Sequence, residues 1–314
     1  MQIDINIAVT ANAFSKNIFL RESLKKFFPT AKFNDTGKRF SEDELIDFLK
    51  DADAAIVGLD KINEDVLSKL NRLQIIAKYG VGLDNIDQDA CKNNNVLIGW
   101  TGGVNKLSVA EMTLGFMLGL SRNLYQTSSQ LSNGYWNKSG GMQLTGRTVG
   151  IIGVGYIGKE VIRLLEPFSC NILVNDIIDQ EEYYKKNNLR DTTKNDIFKN
   201  SDIITIHTPL TEKTKYLINK DTMDMMKPTS HVINTARGGI VNQDDLKYAL
   251  QNNIIAGAAL DAYEIEPPED EELLSLNNCY CTPHIGGNSQ EAVISMGESA
   301  INHLKEYFHE GKEL

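Results

Sequence analysis

Residues Thr148 to Asp176 read TVGIIGVGYIGKEVIRLLEPFSCNILVND. An apolar strand, Thr148 to Ile152, runs into Gly153-Val154-Gly155-Tyr156-Ile157-Gly158. A helical run follows, then a second strand from Asn171 to Asn175 that ends at Asp176. The three glycines of a G-x-G-x-x-G turn in this strand–helix–strand setting meet three needs: a tight turn, close backbone approach to a pyrophosphate, and close helix–strand contact. The helix N-terminus adds unpaired N–H groups and a positive dipole end for the phosphates. Asp176 lies eighteen residues beyond Gly158, where a carboxylate can accept both ribose hydroxyls. A 2′-phosphate would be repelled there, and no Lys or Arg follows before Lys185 to receive one. The spacing therefore predicts bound NAD rather than NADP.

Upstream of this turn, strands and helices alternate without a glycine-rich phosphate loop. Ile3, Ile5, Ile7 and Val9 keep a period of two, and Ser15 to Phe28 reads as a helix stopped by Pro29. Ser41 with Glu44 forms a capping-box pattern ahead of Leu45, Ile46, Phe48 and Leu49. Ala54 to Gly58, Leu73 to Lys78 and Val96 to Trp100 read as short buried strands, with helices starting near Asn63 and Asp87. A long helix is expected from Asn105 to Leu124, apolar nearly all round, with Gly115 and Gly119 allowing close backbone approach. Such a helix should pack between domains and against a second subunit. Beyond the nucleotide turn, strands are expected at Asp202 to His207, His231 to Thr235, Ile254 to Asp261 and Cys279 to Thr282. Helices follow at Gln243 to Gln251 and from Ser289 to about Phe308. The fold class is α/β, with two Rossmann-like or flavodoxin-like parallel-sheet domains and a cleft between them. Residues 1–100 plus 288–314 form the expected substrate domain, and residues 101–287 the NAD domain inserted into it.

A chain of 314 residues with 41% hydrophobic and 24% charged residues is ordinary for a soluble protein of two domains. The net charge of −10 argues against a general nucleic-acid or membrane-surface binder. The N-terminus lacks the basic and apolar regions of a signal peptide, and the longest apolar run, Met112 to Leu120, is too short to span a bilayer. The chain stops at Leu314, and no appended regulatory domain is expected. Cys91, Cys170, Cys279 and Cys281 show neither C-x-x-C nor zinc-like spacing, so no metal site and reduced thiols in a cytoplasmic protein are expected.

Ligands collect at the carboxyl ends of parallel strands. Arg237, Glu266 and His284 each follow an expected strand end. Hydride transfer between an alcohol carbon and a nicotinamide needs a group that takes the hydroxyl proton, and histidine suits that task near neutrality. A carboxylate beside it favours the imidazolium and fixes the tautomer. A guanidinium grips a carboxylate with two parallel hydrogen bonds.

Six segments carry a resemblance: Gly153–Gly158, H-T-P-L-T from His207, M-K-P from Met226, N-T-A-R-G-G from Asn234, L-D-A-Y-E-I-E-P from Leu260 and T-P-H-I-G-G from Thr282. In that order they resemble the D-isomer-specific 2-hydroxyacid dehydrogenases, strongly across Tyr79 to Ala292. The resemblance implies that Arg237 binds substrate and that Glu266 and His284 are the acid/base pair. It implies that Asp261 lies near the nicotinamide amide, and that His207, Thr208, Pro209, Ala236 and Gly286 line the cofactor. It assigns the substrate carboxylate to the backbone of Tyr79-Gly80-Val81-Gly82. Glutamate at 266, rather than a carboxamide, favours hydroxyacid over formate chemistry.

The segment Gly134 to Lys138, G-Y-W-N-K, resembles the phosphoglycerate dehydrogenase branch, which implies a homodimer and a role for Lys138 at a substrate phosphate. Lys61 and Lys78 are weaker candidates, with a solvated surface charge as the plain alternative. Gly58-Leu59-Asp60-Lys61 departs from the arginine-bearing loop of that branch, and Asp60 would oppose a phosphate if it faced the pocket. D-3-phosphoglycerate with 3-phosphohydroxypyruvate is the leading expected pair, and glyoxylate or hydroxypyruvate reduction is the alternative. A binding protein that senses NAD, like the dehydrogenase-related corepressors, is the rival from a different class. An L-specific dehydrogenase fits poorly, because those enzymes place the glycine loop near the N-terminus. His231, His303 and His309 are expected to be structural or solvated.

Overall fold

A computed structural model describes residues 5–310. Its strands are β1 (Ile7–Val9), β2 (Lys32–Phe33), β3 (Ala54–Val57), β4 (Ile75–Lys78), β5 (Leu97–Gly99) and β6 (Thr148–Ile152). They continue with β7 (Asn171–Asn175), β8 (Arg190–Asp191), β9 (Ile203–Ile206), β10 (His231–Asn234), β11 (Gly257–Leu260) and β12 (Cys279–Cys281). The chain divides into two compact units, Met1–Asn105 with Gly287–Leu314, and Lys106–Gly286. Each has its own parallel sheet, so the fold is α/β with two parallel-sheet bodies.

The first unit has strand order β2-β1-β3-β4-β5, the flavodoxin-like arrangement. Its strands are short and apolar because helices cover both faces. One face packs Phe14, Leu20, Leu24 and Phe28 with Met296, Ala300 and Leu304; the other packs Leu45, Leu49, Val66 and Cys91. Asparagine and aspartate start its helices as the sequence suggests. Asn63 accepts from Val66 N, Asp87 accepts from Ala90 N, and Ser41 with Glu44 makes the full capping box.

The second unit has the order β12-β11-β10-β9-β6-β7-β8, which reverses between β6 and β9. That reversal marks the crevice where dinucleotides bind in such sheets. The Lys106–Ser121 helix buries Val109, Ala110, Phe116, Met117 and Leu120. It packs against the Tyr156–Leu165 helix and against β10 and β11. Each fully buried aliphatic or aromatic side chain of this kind stabilises the unit by about 1.5–3 kcal/mol.

Local geometry corrects several expectations. The single helix expected over Ser15 to Phe28 is two helices, Asn12–Lys16 and Ile18–Lys25, because Asn17 turns extended and caps the second through Leu20 N. Asparagine competes with the helix by bonding nearby backbone, so it breaks rather than continues it. The helix expected over Asn105 to Leu124 ends at Ser121, and Asn123 at φ 52° turns the chain into a second helix, Leu124–Ser132. Along the Lys106–Ser121 helix nothing lies within 4 Å of where a Cβ on Gly115 would sit, whereas Gly119 is pressed against Tyr125. The last helix is Gln290–Lys305, with wider turns over Glu306–Glu310. Ile5 precedes the first strand, Ile7–Val9, and Ile3 lies outside the described residues.

Candidate active site

The expected cofactor and catalytic residues of the second unit all follow carboxyl ends of its strands. Gly153 to Gly158 follow β6, Asp176 follows β7, and His207, Thr208 and Pro209 follow β9. Ala236 and Arg237 follow β10, Asp261 and Glu266 follow β11, and His284 and Gly286 follow β12. Parallel strands running the same way put every loop after a strand on one edge of the sheet, so residues far apart in sequence meet there.

The glycine turn combines two close backbone approaches with one open position. Gly153 holds φ +96°, and a Cβ there would lie 2.6 Å from His207 O. A Cβ on Gly158 would lie 2.1 Å from Gly153 O, so the Tyr156–Leu165 helix and β6 touch through backbone. Gly155, by contrast, faces open space with nothing within 4 Å, next to exposed Tyr156 and half-buried Ile157. Asp176 accepts the N–H of Val154 at 2.5 Å and of Ile178 at 2.9 Å. Ile177 and Ile178 beside it are exposed and offer an apolar surface for an adenine. Two buried polar atoms across the turn, His207 Nδ1 and Thr208 Oγ1, have no hydrogen-bond partner. His207 Nε2 pairs with Thr205 Oγ1 at 3.0 Å, and burial pushes the imidazole down to about 3, so it stays neutral. This donor and acceptor set fits a nicotinamide dinucleotide. Among the described residues no His, Cys, Asp and Glu cluster could hold a metal ion.

Glu266 and His284 meet. His284 Nδ1 lies 2.8 Å and 2.9 Å from the two Glu266 carboxylate oxygens. The imidazole is 45% exposed and the carboxylate 39%, so the pair is open to a ligand. Commitment of Nδ1 to the carboxylate makes Nε2 the nitrogen that exchanges protons. His284 itself is left-handed, φ 52°, which aims the ring off the strand. Asp261, expected near the nicotinamide amide, is buried and accepts from Thr282 Oγ1 at 2.6 Å, Ile285 N at 2.8 Å and Gly286 N at 2.7 Å. Those bonds hold the turn that carries His284. Arg237 Nη1 donates to Ala236 O at 2.8 Å, on a turn held by Asn234.

In the first unit, Tyr79 to Gly82 follow β4, with Gly80 at φ +125° and Trp100 donating to Val81 O. Lys78 corrects the surface-charge alternative: it is 4% exposed, and its ammonium donates to Gly58 O and Asn85 Oδ1. Asp60 is turned inward onto Thr10 Oγ1 at 2.6 Å. Lys61 and Lys138 are exposed.

Sequence reasoning missed the groups that position the site. Thr113 links the Lys106–Ser121 helix to Thr235, just before Arg237, at 3.1 Å. A Cβ on Gly238 would collide with Tyr263 C at 1.9 Å, so the arginine turn lies directly on the turn leading to Glu266. The glycine after Arg237 was the available signal. Tyr263 carried none, because a buried tyrosine reads as core.

A model of the family described as D-isomer specific 2-hydroxyacid dehydrogenase, NAD binding domain, matches residues 114–286. The chain is similar to a D-3-phosphoglycerate dehydrogenase of Methanocaldococcus jannaschii, 35% identical over 84% of this chain and 51% of the relative. It is also similar to a hydroxypyruvate reductase of Thermotoga maritima, 36% identical over 86% of this chain and 89% of the relative. It thus spans about half the length of the phosphoglycerate dehydrogenases it matches. Among solved structures, a D-lactate dehydrogenase of Aquifex aeolicus complexed with NAD and lactic acid superposes with a TM-score of 0.83. That pair is 28% identical and covers 96% of this chain and 95% of the other.

Proposed function

The chain belongs to the D-isomer-specific 2-hydroxyacid dehydrogenase family, and on that premise we propose that it interconverts a small D-2-hydroxy acid and its 2-oxo acid with NAD. The observation that carries the reading is the Glu266–His284 pair on the same sheet edge as an open glycine turn. The glycine turn and Asp176 would hold NADH, which when bound would supply the hydride chemistry. Arg237 grips the substrate carboxylate and polarises the neighbouring carbonyl. His284 Nε2 gives the proton to the carbonyl oxygen in reduction and takes it from the hydroxyl in oxidation. Glu266 orients the ring and offsets the imidazolium charge. The backbone of Tyr79 to Gly82 is the proposed donor set for the substrate carboxylate. Asp176, with no cation in the residues after it before Lys185, supports NAD over NADP.

D-3-phosphoglycerate with 3-phosphohydroxypyruvate is the proposed pair, with Lys138 as the phosphate-binding candidate. Hydroxypyruvate or glyoxylate is the second reading, favoured by Lys78, whose buried ammonium is committed to Gly58 O and Asn85 Oδ1 rather than offered to a phosphate. A homodimer is proposed, because Leu124, Tyr125, Leu131, Tyr135 and Trp136 are exposed and Gly115 faces open space. Among the described residues no helix is long and apolar enough to cross a membrane; a cytoplasmic location is part of the proposal, as is the absence of a nucleic-acid partner.

NADH oxidation against phosphohydroxypyruvate, hydroxypyruvate, glyoxylate and pyruvate tests the reading. Preference for the phosphorylated acid supports the phosphoglycerate assignment, and preference for an unphosphorylated one moves the protein to the reductase reading. Silence on all four together with tight NADH binding favours the sensor. A stable monomer in light scattering would refute the dimer.

A further inference from the structure

Glu266 and His284 sit on different loops, and a carboxylate–imidazole contact does not by itself hold two loops in place. Tyr263 spans them. Its backbone N–H donates to Glu266 Oε1 at 3.1 Å. Its hydroxyl, at the far end of the same residue, donates to Thr282 O at 2.8 Å, with Leu260 O at 3.1 Å as the second acceptor. Thr282 O also receives the N–H of His284 at 2.9 Å. The ring is buried beside Cys279 and Cys281, whose sulfurs are 3.7 Å apart. Burial, then Cys281, pushes the phenol far above its ordinary range, so it remains a donor at working pH.

We propose that Tyr263 is a positioning residue for the acid/base pair, bracing the carboxylate through its amide and the imidazole loop through its hydroxyl. His284 needs the brace because φ 52° is costly for a residue with a side chain and persists only where the surroundings over-determine it. Loss of the hydroxyl does not orphan either carbonyl. Leu260 O keeps the N–H of Thr282 at 3.0 Å, and Thr282 O keeps that of His284. Asp261 still holds the turn that carries His284. What disappears is the hydroxyl's added tie from the Glu266 side to Thr282, so the pair loosens while the fold persists.

The turnover part of this inference rests on the dehydrogenase reading; the structural part does not. The test compares Tyr263→Phe with Tyr280→Phe, a control in β12 whose ring rests on Tyr125. In Tyr263→Phe, kcat falls by about fivefold, the size expected for one lost hydrogen bond, while KM for the oxo acid and NADH affinity hold. The His284 Nδ1–H resonance in ¹H–¹⁵N spectra broadens and moves, and Tyr280→Phe changes neither reading. 3,5-Difluorotyrosine at position 263 keeps the ring and strengthens the donor, so it covers the case in which the phenylalanine variant does not fold. It should move the resonance in the opposite direction. Wild-type kcat with an unmoved resonance overturns the proposal. If the wild type turns over no acid, the dehydrogenase reading fails, and the resonance alone decides the brace: movement supports it and constancy overturns it.

Discussion

A methyl group added at Gly158 and one added at Gly155 should have opposite consequences. At Gly158 the new Cβ would lie 2.1 Å from Gly153 O and 3.1 Å from its carbonyl carbon, and both partners are backbone that cannot swing aside. The Tyr156–Leu165 helix must then withdraw from β6 by about 1 Å, which weakens the close contacts of its buried side chains. Those side chains include Val161, Ile162 and Leu165. Overpacking of this kind costs about 1–3 kcal/mol, against about 1 kcal/mol gained from alanine's helix preference. A collision between backbones belongs at the upper end, so Gly158→Ala should lose about 2 kcal/mol of stability. At Gly155 the Cβ meets nothing within 4 Å, and φ −81° is ordinary for alanine. The residue is the helix N-cap, where alanine is poorer than glycine, so a loss of about 0.5–1 kcal/mol is expected. Its methyl would occupy the space a pyrophosphate approaches, and NADH affinity should fall by about tenfold or more, or about 1.4 kcal/mol. Urea unfolding followed by circular dichroism reads the first effect, and NADH fluorescence titration the second. Wild-type NADH affinity in Gly155→Ala would place the pyrophosphate elsewhere. Wild-type unfolding in Gly158→Ala would refute the backbone contact.

Other perturbations probe the remaining parts. His284→Ala should lower turnover by about 10²- to 10⁴-fold, the usual contribution of a general acid/base, with NADH affinity intact; wild-type turnover would remove His284 from the chemistry. Asp176→Asn keeps an acceptor for Val154 N and deletes the charge, so the ratio of NADPH to NADH use should rise, and an unchanged ratio would refute the charge argument. Burial pushes His207 down to about 3 and His231 down to about 4, from an ordinary 6.5. Their native states are neutral, so stability is full above pH 6.5 and falls below it as only the unfolded chain gains protons. At about 1.4 kcal/mol per pH unit for each, the two together cost up to about 4 kcal/mol between pH 6.5 and 5. Urea midpoints at pH 7 and pH 5 measure this, and His231→Asn should flatten the slope; equal unfolding free energies at the two pH values would contradict the buried neutral state.

Local signals carried well wherever the responsible atoms are close in sequence. The Ser41–Glu44 capping box, the Asn63 and Asp87 helix starts and the Gln243–Gln251 helix depend on bonds within one turn, and the structure has each of them. They failed at Asn17, whose side chain accepts from Leu20 N and divides what periodicity reads as one helix. They failed also at Asn123, whose left-handed backbone follows the end, at Ser121, of the helix expected over Asn105 to Leu124. Lys78 failed for a different reason. Its partners Gly58 and Asn85 come from neighbouring loops, and no spacing along the chain announces that an ammonium will be buried between them.

The sequence alone determined the glycine turn, the carboxylate after the second strand, and the residue types Arg237, Glu266 and His284 after strand ends. Those follow from strand direction and spacing, which are properties of the chain. Only the tertiary structure decided that Glu266 reaches His284, that the Asp261 carboxylate holds the histidine's turn, and that Tyr263 joins the two loops. Each of these bonds links the ends of neighbouring strands, β11 and β12. Their side-chain geometry depends on how the two strands register and on what packs beneath them. Hydrogen bonds are short-range, so a strand end displaced by an ångström would break them without changing any motif.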